Sequence, residues 1–307
     1  MKILALFLVF FSAFAASAAE GARSFSIGGK TAYHVKPATV DSGGAPAIVS
    51  ATYDGYVLCH AYDGRLLWQS PTQGCFIFDL AVGDIDGDGF DEALAASADG
   101  ALYAFDHDGA PLWRFERVPP LYAVGIARAE SGAATILAGG IERVLYALSP
   151  SGAVVAERPC EQLVRVITPG RFSRGKGQLA VVITANNGRE GFRMQLYAPE
   201  TLEPQWEKMV DLTASIKGEA RVRAFSAIPI DLDEDGRDEI VMSVSSGTDP
   251  SIAAYDADGE RLHMEQGQAG QKRPYRMNML TAAREADSGR PFIAGQFGAE
   301  LIVYDLD

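Results

Sequence analysis

Apolar residues along this chain come in runs of four to eight, rich in Val, Ile, Leu, Tyr and Phe, and separated by Asp-Gly or Ser-Gly turns. Runs of that length between such turn residues predict short strands joined by tight hairpins. Nowhere do apolar positions hold a three-to-four spacing over a dozen residues, so no amphipathic helix is predicted. The runs recur as phrases. Ser50–Leu58 followed by Ala61–Trp68 has its counterpart one period later in Ala96–Trp113. Further copies are Val144–Gly152, the looser Gln195–Thr201, Ile252–Gly259 and Leu301–Asp305. The turn glycines mark the register: Gly64 and Gly109 are 45 residues apart, Gly109 and Gly152 43, and Gly152 and Gly259 107, room for two units. A period near 45 with about four strands per unit is the arithmetic of a β-propeller. The predicted fold is all-β, a propeller of about six four-stranded blades.

The last copy ends without the turn and final strand that earlier copies run into, such as Arg65–Trp68. Arg23–Ile27 precedes the first copy and alternates Phe25 and Ile27 with Ser24 and Ser26, the two-faced pattern of an outer strand. The expectation is that Arg23–Ile27 completes the last blade by pairing with Leu301–Asp305, whose apolar edge would otherwise lie open. The alternative is the N-terminal part of a longer propeller.

The N-terminus has a different character. Lys2, the apolar run Ile3–Phe11 and small residues through Ala19 follow the order of a secretory signal peptide, with cleavage after Ala18 or Ala19. The run falls short of the ~20 residues that a membrane span needs. Residues 1–19 are read as a signal peptide and 20–307 as one propeller domain, secreted, periplasmic or held at the cell surface.

Charge narrows the partners. Asp and Glu outnumber Lys and Arg 40 to 27, and a net charge of −13 disfavours nucleic acid and anionic membrane surfaces. Cys59, Cys75 and Cys160 are odd in number, so at least one thiol has no partner within the chain. Either Cys59 pairs with Cys75, or all three are small buried residues. His34, His60, His107 and His263 show no metal-ligand spacing.

Two segments carry specific chemistry. Asp84–Glu92 and Asp231–Glu239 share the pattern D-x-D-x-D-G-x-D-E. Carboxylates at positions one, three and five (Asp84, Asp86, Asp88; Asp231, Asp233, Asp235) converge, and glycine at six permits a sharp turn. The carbonyl at seven (Phe90 or Arg237) and the glutamate at nine (Glu92 or Glu239) complete an oxygen cage. Hard oxygen donors in that number suit Ca²⁺ better than Mg²⁺, giving two expected sites. A plain acidic turn would crowd like charges without a counter-ion. Ala129–Gly132, Arg171–Lys176 and Ala283–Gly289, at the corresponding places, have lost the ligands.

These loops, followed by Ala93–Ala96 and by Ile240–Ser243, resemble FG-GAP repeats, the calcium-binding blades of integrin α chains. Leu102–Trp113 resembles the blade motif of quinoprotein dehydrogenases and of the outer-membrane barrel-assembly propeller lipoprotein. Together the resemblances cover most of residues 45–307, and they imply a calcium-stabilised propeller that presents loops to a ligand, not an enzyme as such. The quinoprotein likeness stops at packing: the chain has too few repeats and no adjacent cysteines, and Ala104–Trp113 is one residue short of that motif. Rhamnogalacturonan lyases also build on calcium-loaded propellers, and a lyase needs cationic groups to neutralise uronate. Arg165, Arg223 and Arg276 fall just before or within the first strands of repeats four, five and six and are the candidates for an anion-binding cluster; solvated or salt-bridged arginines are the alternative. The reading favoured is an exported non-catalytic propeller with structural Ca²⁺ that binds protein or carbohydrate; the alternative is a polysaccharide lyase-like enzyme.

Overall fold

The computed structural model describes residues 24–43, 46–175, 177–186, 191–210, 222–246, 249–266, 277–284, 290–297 and 300–305. The expected signal peptide and Arg23 lie outside them. Among the described residues, 23 strands and no helix form six sheets in chain order. The first sheet holds β1 (Ala32–Thr39), β2 (Pro46–Thr52), β3 (Tyr56–Ala61) and β4 (Leu66–Pro71). The second holds β5 (Ile77–Gly83), β6 (Glu92–Ser97), β7 (Ala101–Phe105) and β8 (Pro111–Glu116). The third holds β9 (Leu121–Arg128), β10 (Ala134–Gly140), β11 (Val144–Leu148) and β12 (Val154–Pro159). The fourth holds β13 (Val164–Gly170), β14 (Leu179–Thr184), β15 (Phe192–Tyr197) and β16 (Pro204–Val210). The fifth holds β17 (Val222–Ile230), β18 (Glu239–Ser246), β19 (Asp249–Tyr255) and β20 (Arg261–Gln266). The sixth has three strands, β21 (Met277–Arg284), β22 (Pro291–Phe297) and β23 (Glu300–Asp305).

Each sheet is an antiparallel meander, and the first strands β1, β5, β9, β13, β17 and β21 touch one another in that order. They are the inner strands of successive blades. Burial follows from that position. β6 and β10 are buried at every residue, which their sequences EALAAS and ATILAGG, rich in small residues, allow, whereas the outer strand β12 exposes four of its six residues. The core is therefore divided. Five buried apolar clusters lie one at each junction between consecutive sheets. Close approach is built into some of them: a Cβ on Gly139 would meet Val164 Cγ1 at 2.6 Å.

Tryptophans tie the outer strands across those junctions. Trp68 of β4 packs on Gly109 of the next blade and donates its indole N–H to the His107 carbonyl at 2.8 Å. Trp113 of β8 repeats this on Gly152 and the Pro150 carbonyl at 2.8 Å, and Trp206 of β16 on Gly259 and the Ala257 carbonyl at 2.9 Å. The turn glycines thus serve twice: φ near +80 to +90° closes the hairpin, and a missing Cβ admits the indole ring.

The N-terminal segment takes the same position on the first blade. Phe25 lies over Gly64, where a Cβ would meet the Phe25 side chain at 2.7 Å, and its ring centroid is 5.1 Å from that of His60. Ser24–Ile27 is not in a strand, and among the described residues β23 pairs only with β22. Cys59, Cys75 and Cys160 are all free thiols, so the expected alternative of a Cys59–Cys75 bridge is not adopted. No helix among the described residues is long and apolar enough to cross a membrane.

Candidate metal centres

Both acidic loops join an inner strand to the second strand of its blade, β5 to β6 and β17 to β18. Their backbones are held by the loops' own carboxylates. Asp84 accepts from the amides of Gly87 (2.6 Å) and Gly89 (3.1 Å), Asp86 from Asp88 (3.1 Å), and Asp88 from Phe90 (2.8 Å). The second loop repeats the scheme: Asp231 accepts from Gly236 (3.2 Å), Asp233 from Asp235 (3.1 Å), and Asp235 from Arg237 (2.8 Å). Each aspartate holds a turn that the acidic spacing requires.

The glutamate at position nine is the first residue of the next strand and is buried there: Glu92 is 0% and Glu239 4% exposed. Each reaches back to the amide two residues into its loop, Glu92 Oε2 to Ile85 at 2.7 Å and Glu239 Oε2 to Leu232 at 2.6 Å. In each loop three carboxylates then converge. Donor oxygens of Asp84, Asp86 and Glu92 all lie within 4.8 Å of one another, as do those of Asp231, Asp233 and Glu239. Positions one, three and nine are brought together as the spacing suggests.

The other expected ligands fall outside these triplets. At position five, Asp88 Oδ2 is 3.8 Å from His107 Nδ1, and Asp235 Oδ2 is 3.2 Å from Arg237 Nε. The position-seven side chains flank the loops: the Phe90 ring centroid is 4.8 Å from that of His107, and Arg237 also contacts Asp258 at 3.3 Å.

Electrostatics sharpen the picture in the first loop. Burial, with Asp86, Asp88 and Asp84 nearby, pushes the Glu92 carboxyl up to about 7 against the pull of the Ile85 amide. Burial also raises Glu239. Among the described residues Glu92 Oε1 has no hydrogen-bond partner, an expensive arrangement for a buried carboxylate unless a cation faces it. The donor set is hard oxygen on a sharply turned loop, which fits Ca²⁺.

Three features were not foreseen. Aspartate at position eight is a clasp between blades: Asp91 exchanges hydrogen bonds with the backbone of Thr39 (2.7 and 2.8 Å), and Asp238 does the same with Arg171 (2.7 and 2.8 Å). Gln178 forms the matching clasp on Arg128 (2.9 and 2.8 Å) in a blade whose loop has lost its ligands. Lastly, Asp106 and His107, from the turn between β7 and β8, stand beside Glu92 with donor atoms again within 4.8 Å. Nothing in the linear spacing brings that turn to the loop; the clasp at position eight was legible only as an invariant feature of the two motifs.

The three candidate arginines are not equivalent. Arg165 is the bulged residue of β13, skipped between the pairs Val164–Thr184 and Val166–Ile183, and its guanidinium carbon is 4.3 Å from the Tyr122 ring centroid. In β17 and β21 the bulge falls at Phe225 and Asn278, so Arg223 and Arg276 each precede it by two residues. Arg276 itself lies outside the described residues.

The family is shown by its own sequence model. Residues 47–307 match the lambda-carrageenase beta-propeller domain, and the chain belongs to that family. It is 26% identical over 283 residues to lambda-carrageenases of Pseudoalteromonas carrageenovora and of a Pseudoalteromonas sp.. That alignment takes in 85% of this chain and 29% of each relative, so the chain spans under a third of their length. Among solved structures, BBS1N in complex with ARL6DN superposes with a TM-score of 0.65 at 13% identity, over 91% of this chain and 81% of that one. Saccharomyces cerevisiae Sqt1 superposes with a TM-score of 0.61 at 13% identity, over 85% and 69%. Those two likenesses support the propeller fold alone.

Proposed function

We propose that this protein is an exported, non-catalytic propeller that binds a polysaccharide ligand and is stabilised by one Ca²⁺ in each acidic loop. Residues 1–19 would direct export and be cleaved to leave the mature propeller. The single observation that carries the ligand class is the family: its propeller domain takes its name from lambda-carrageenase, and carrageenan is a sulfated polysaccharide. The buried, unpartnered Glu92 oxygen supports the metal.

Calcium here acts structurally. It would neutralise the carboxylates of Asp84, Asp86 and Glu92, and those of Asp231, Asp233 and Glu239, at the face where inner strands end. The clasps of Asp91 and Asp238 connect that order to the preceding blades. An affinity in the ~10⁻⁴–10⁻³ M range is expected for an extracellular module. A second reading, an enzyme that cleaves the polysaccharide, is favoured by the two carrageenases among its relatives. One experiment separates the two. The protein is titrated with lambda-carrageenan oligosaccharides by calorimetry, and the mixture is then assayed for new reducing ends and unsaturated products. Binding without new ends supports the binding module; accumulation of new ends selects the enzyme; the absence of binding refutes the carrageenan reading.

A further inference from the structure

The channel mouth opposite the acidic loops carries a continuous arc of aromatic rings. Tyr33 lies 5.2 Å from Tyr53 and 4.9 Å from Phe76, centroid to centroid. Phe76 lies 4.9 Å from Phe78, Phe78 lies 5.0 Å from Tyr122, and Arg165 closes the arc over Tyr122. Four consecutive inner strands, β1, β5, β9 and β13, supply Tyr33, Phe78, Tyr122 and Arg165, while Tyr53 comes from the β2–β3 turn and Phe76 from just before β5.

The backbone explains how a strand residue comes to stand there. Each of these strands carries a β-bulge at the same level. Tyr33 is skipped between Ala32–Thr52 and His34–Ala51, and Phe78 between Ile77–Ser97 and Asp79–Ala96. Tyr122 is skipped between Leu121–Gly140 and Ala123–Gly139, and Arg165 likewise in β13. The residue before each bulge is buried: Ala32, Ile77, Leu121 and Val164 are 0–2% exposed. The bulged residue itself is only half-buried. Bulges re-aim side chains in this way and concentrate at barrel rims and functional sites. Core packing does not account for the arc, because none of its rings belongs to the five buried clusters, and Tyr53 is 50% exposed. A contiguous, partly accessible aromatic surface ending in an exposed ring is the kind of patch that marks an interaction site.

The arc is also held from behind. His34 Nε2 lies 2.7 Å from the Phe78 carbonyl and its ring meets Tyr33 edge-on at 4.6 Å, so two of the bulged residues are fixed through one imidazole. Asp79 accepts from the amide of Val124, linking the next two strands at 3.0 Å. Such pre-ordering lowers the entropic cost of binding.

Resting on the carbohydrate reading above, we propose that this arc is the docking surface for an anionic polysaccharide, whose sugar faces stack on the rings and whose sulfate or carboxylate meets Arg165. Flat rings with polar tips suit the apolar face and hydroxyl rim of a pyranose. A guanidinium suits a sulfate or carboxylate through paired N–H donors. The charge layout agrees, since the two loops densest in carboxylate lie at the other end of the inner strands.

Calorimetry of the protein with oligosaccharides of lambda-carrageenan (sulfated), polygalacturonate (carboxylated) and agarose (neutral) tests this. Tyr53→Ala and Tyr122→Ala should each weaken binding by about 10-fold, and Arg165→Gln should weaken it about as much while flattening its dependence on salt. Near-ultraviolet circular dichroism and melting curves check that each variant is folded; Tyr53, half-exposed, and Arg165, on the rim, carry the test should Tyr122→Ala unfold. Glu157→Gln, exposed on the outer strand β12, is the control and should leave affinity unchanged. A preference for the sulfated or the carboxylated arm over agarose supports the proposal and names the anion; equal affinity for agarose overturns it. Wild-type binding that survives all three substitutions overturns the arc while leaving the carbohydrate reading standing, whereas no binding by the wild type removes both.

Discussion

The two acidic loops share nine positions of pattern and differ in what surrounds them. Both bring positions one, three and nine together, and both use position eight to clasp the preceding blade. At position four, Gly87 of the first loop has φ of +88°, and Glu234 of the second is held at +63°. At position five, Asp88 faces His107, whereas Asp235 is bound by Arg237 and lies 3.9 Å from Arg174. Hydrogen bonds from Arg237, first its backbone amide and then its side chain, keep the Asp235 carboxyl below the ordinary aspartate value. Among the described residues no arginine engages a carboxylate side chain of the first loop, Arg128 reaching only the Asp84 carbonyl, whereas Arg237 and Arg174 sit against Asp235 in the second. A motif dictates the path of a backbone; the charge that an ion meets there depends also on its variable positions, such as Arg237, and on neighbouring turns.

That contrast predicts unequal metal sites. Chelation should lower the melting temperature of the calcium-loaded protein by roughly 5–10 °C at an ion concentration of about 100 times Kd. Asp86→Ala should remove more of that shift than Asp233→Ala, read by calorimetric titration alongside melting. Equal losses would break the comparison, and the absence of any calcium effect at millimolar ion would reduce both loops to turns.

A pH series of the metal-free protein sharpens it further. With the Glu92 carboxyl raised to about 7, the folded state binds a proton that the unfolded state has released. That contribution to stability is fully present below the ordinary glutamate value and is lost as pH rises through about 7. Melting temperature should fall over that window without metal, the fall should vanish in Glu92→Gln, and calcium should suppress it. Glu239→Gln should have the smaller effect.

Exchanging the side chains at position seven tests the cause. Arg237→Gln should tighten calcium at the second loop by about 3–10-fold at low ionic strength, less in high salt, because surface pairs are screened. Phe90→Arg should weaken the first loop. The smallest effect belongs to position four: Glu234→Gly should stabilise the protein by about 0.5–1 kcal/mol by relieving a left-handed backbone, and chemical denaturation would measure it.

Much of the scaffold was legible along the chain because it is local. Gly64, Gly109, Gly152 and Gly259 announced hairpins that close with positive φ, and the alternating aspartates announced loops that hold their own amides. The inner strands were harder. β9 and β13 read as plain apolar runs, and the bulges at Tyr122 and Arg165 depend on pairing with β10 and β14, which no single strand encodes. Arg165, Arg223 and Arg276 looked equivalent by distance from a repeat, but a two-residue offset from the bulge sets Arg165 apart. His107 beside Glu92, and Asp91 on Thr39, are products of the third dimension.

The tryptophan contacts described for the outer strands bear on how such a ring changes its size over evolutionary time. Every unit that carries both a tryptophan on its fourth strand and a glycine in its last turn offers one half of a joint forward and the other half backward. A gene duplication that copies such a unit inserts a complete joint at each end, and a deletion removes one without leaving an orphaned indole. Gly64 with Trp68 and Gly109 with Trp113 mark units that retain this interchangeable form, whereas the unit of Trp206 has Leu202, at φ of +55°, in the place of the glycine. Phe25 over Gly64 keeps the ring but lacks the indole N–H, so a copied unit placed there would gain a hydrogen bond that Phe25 cannot make.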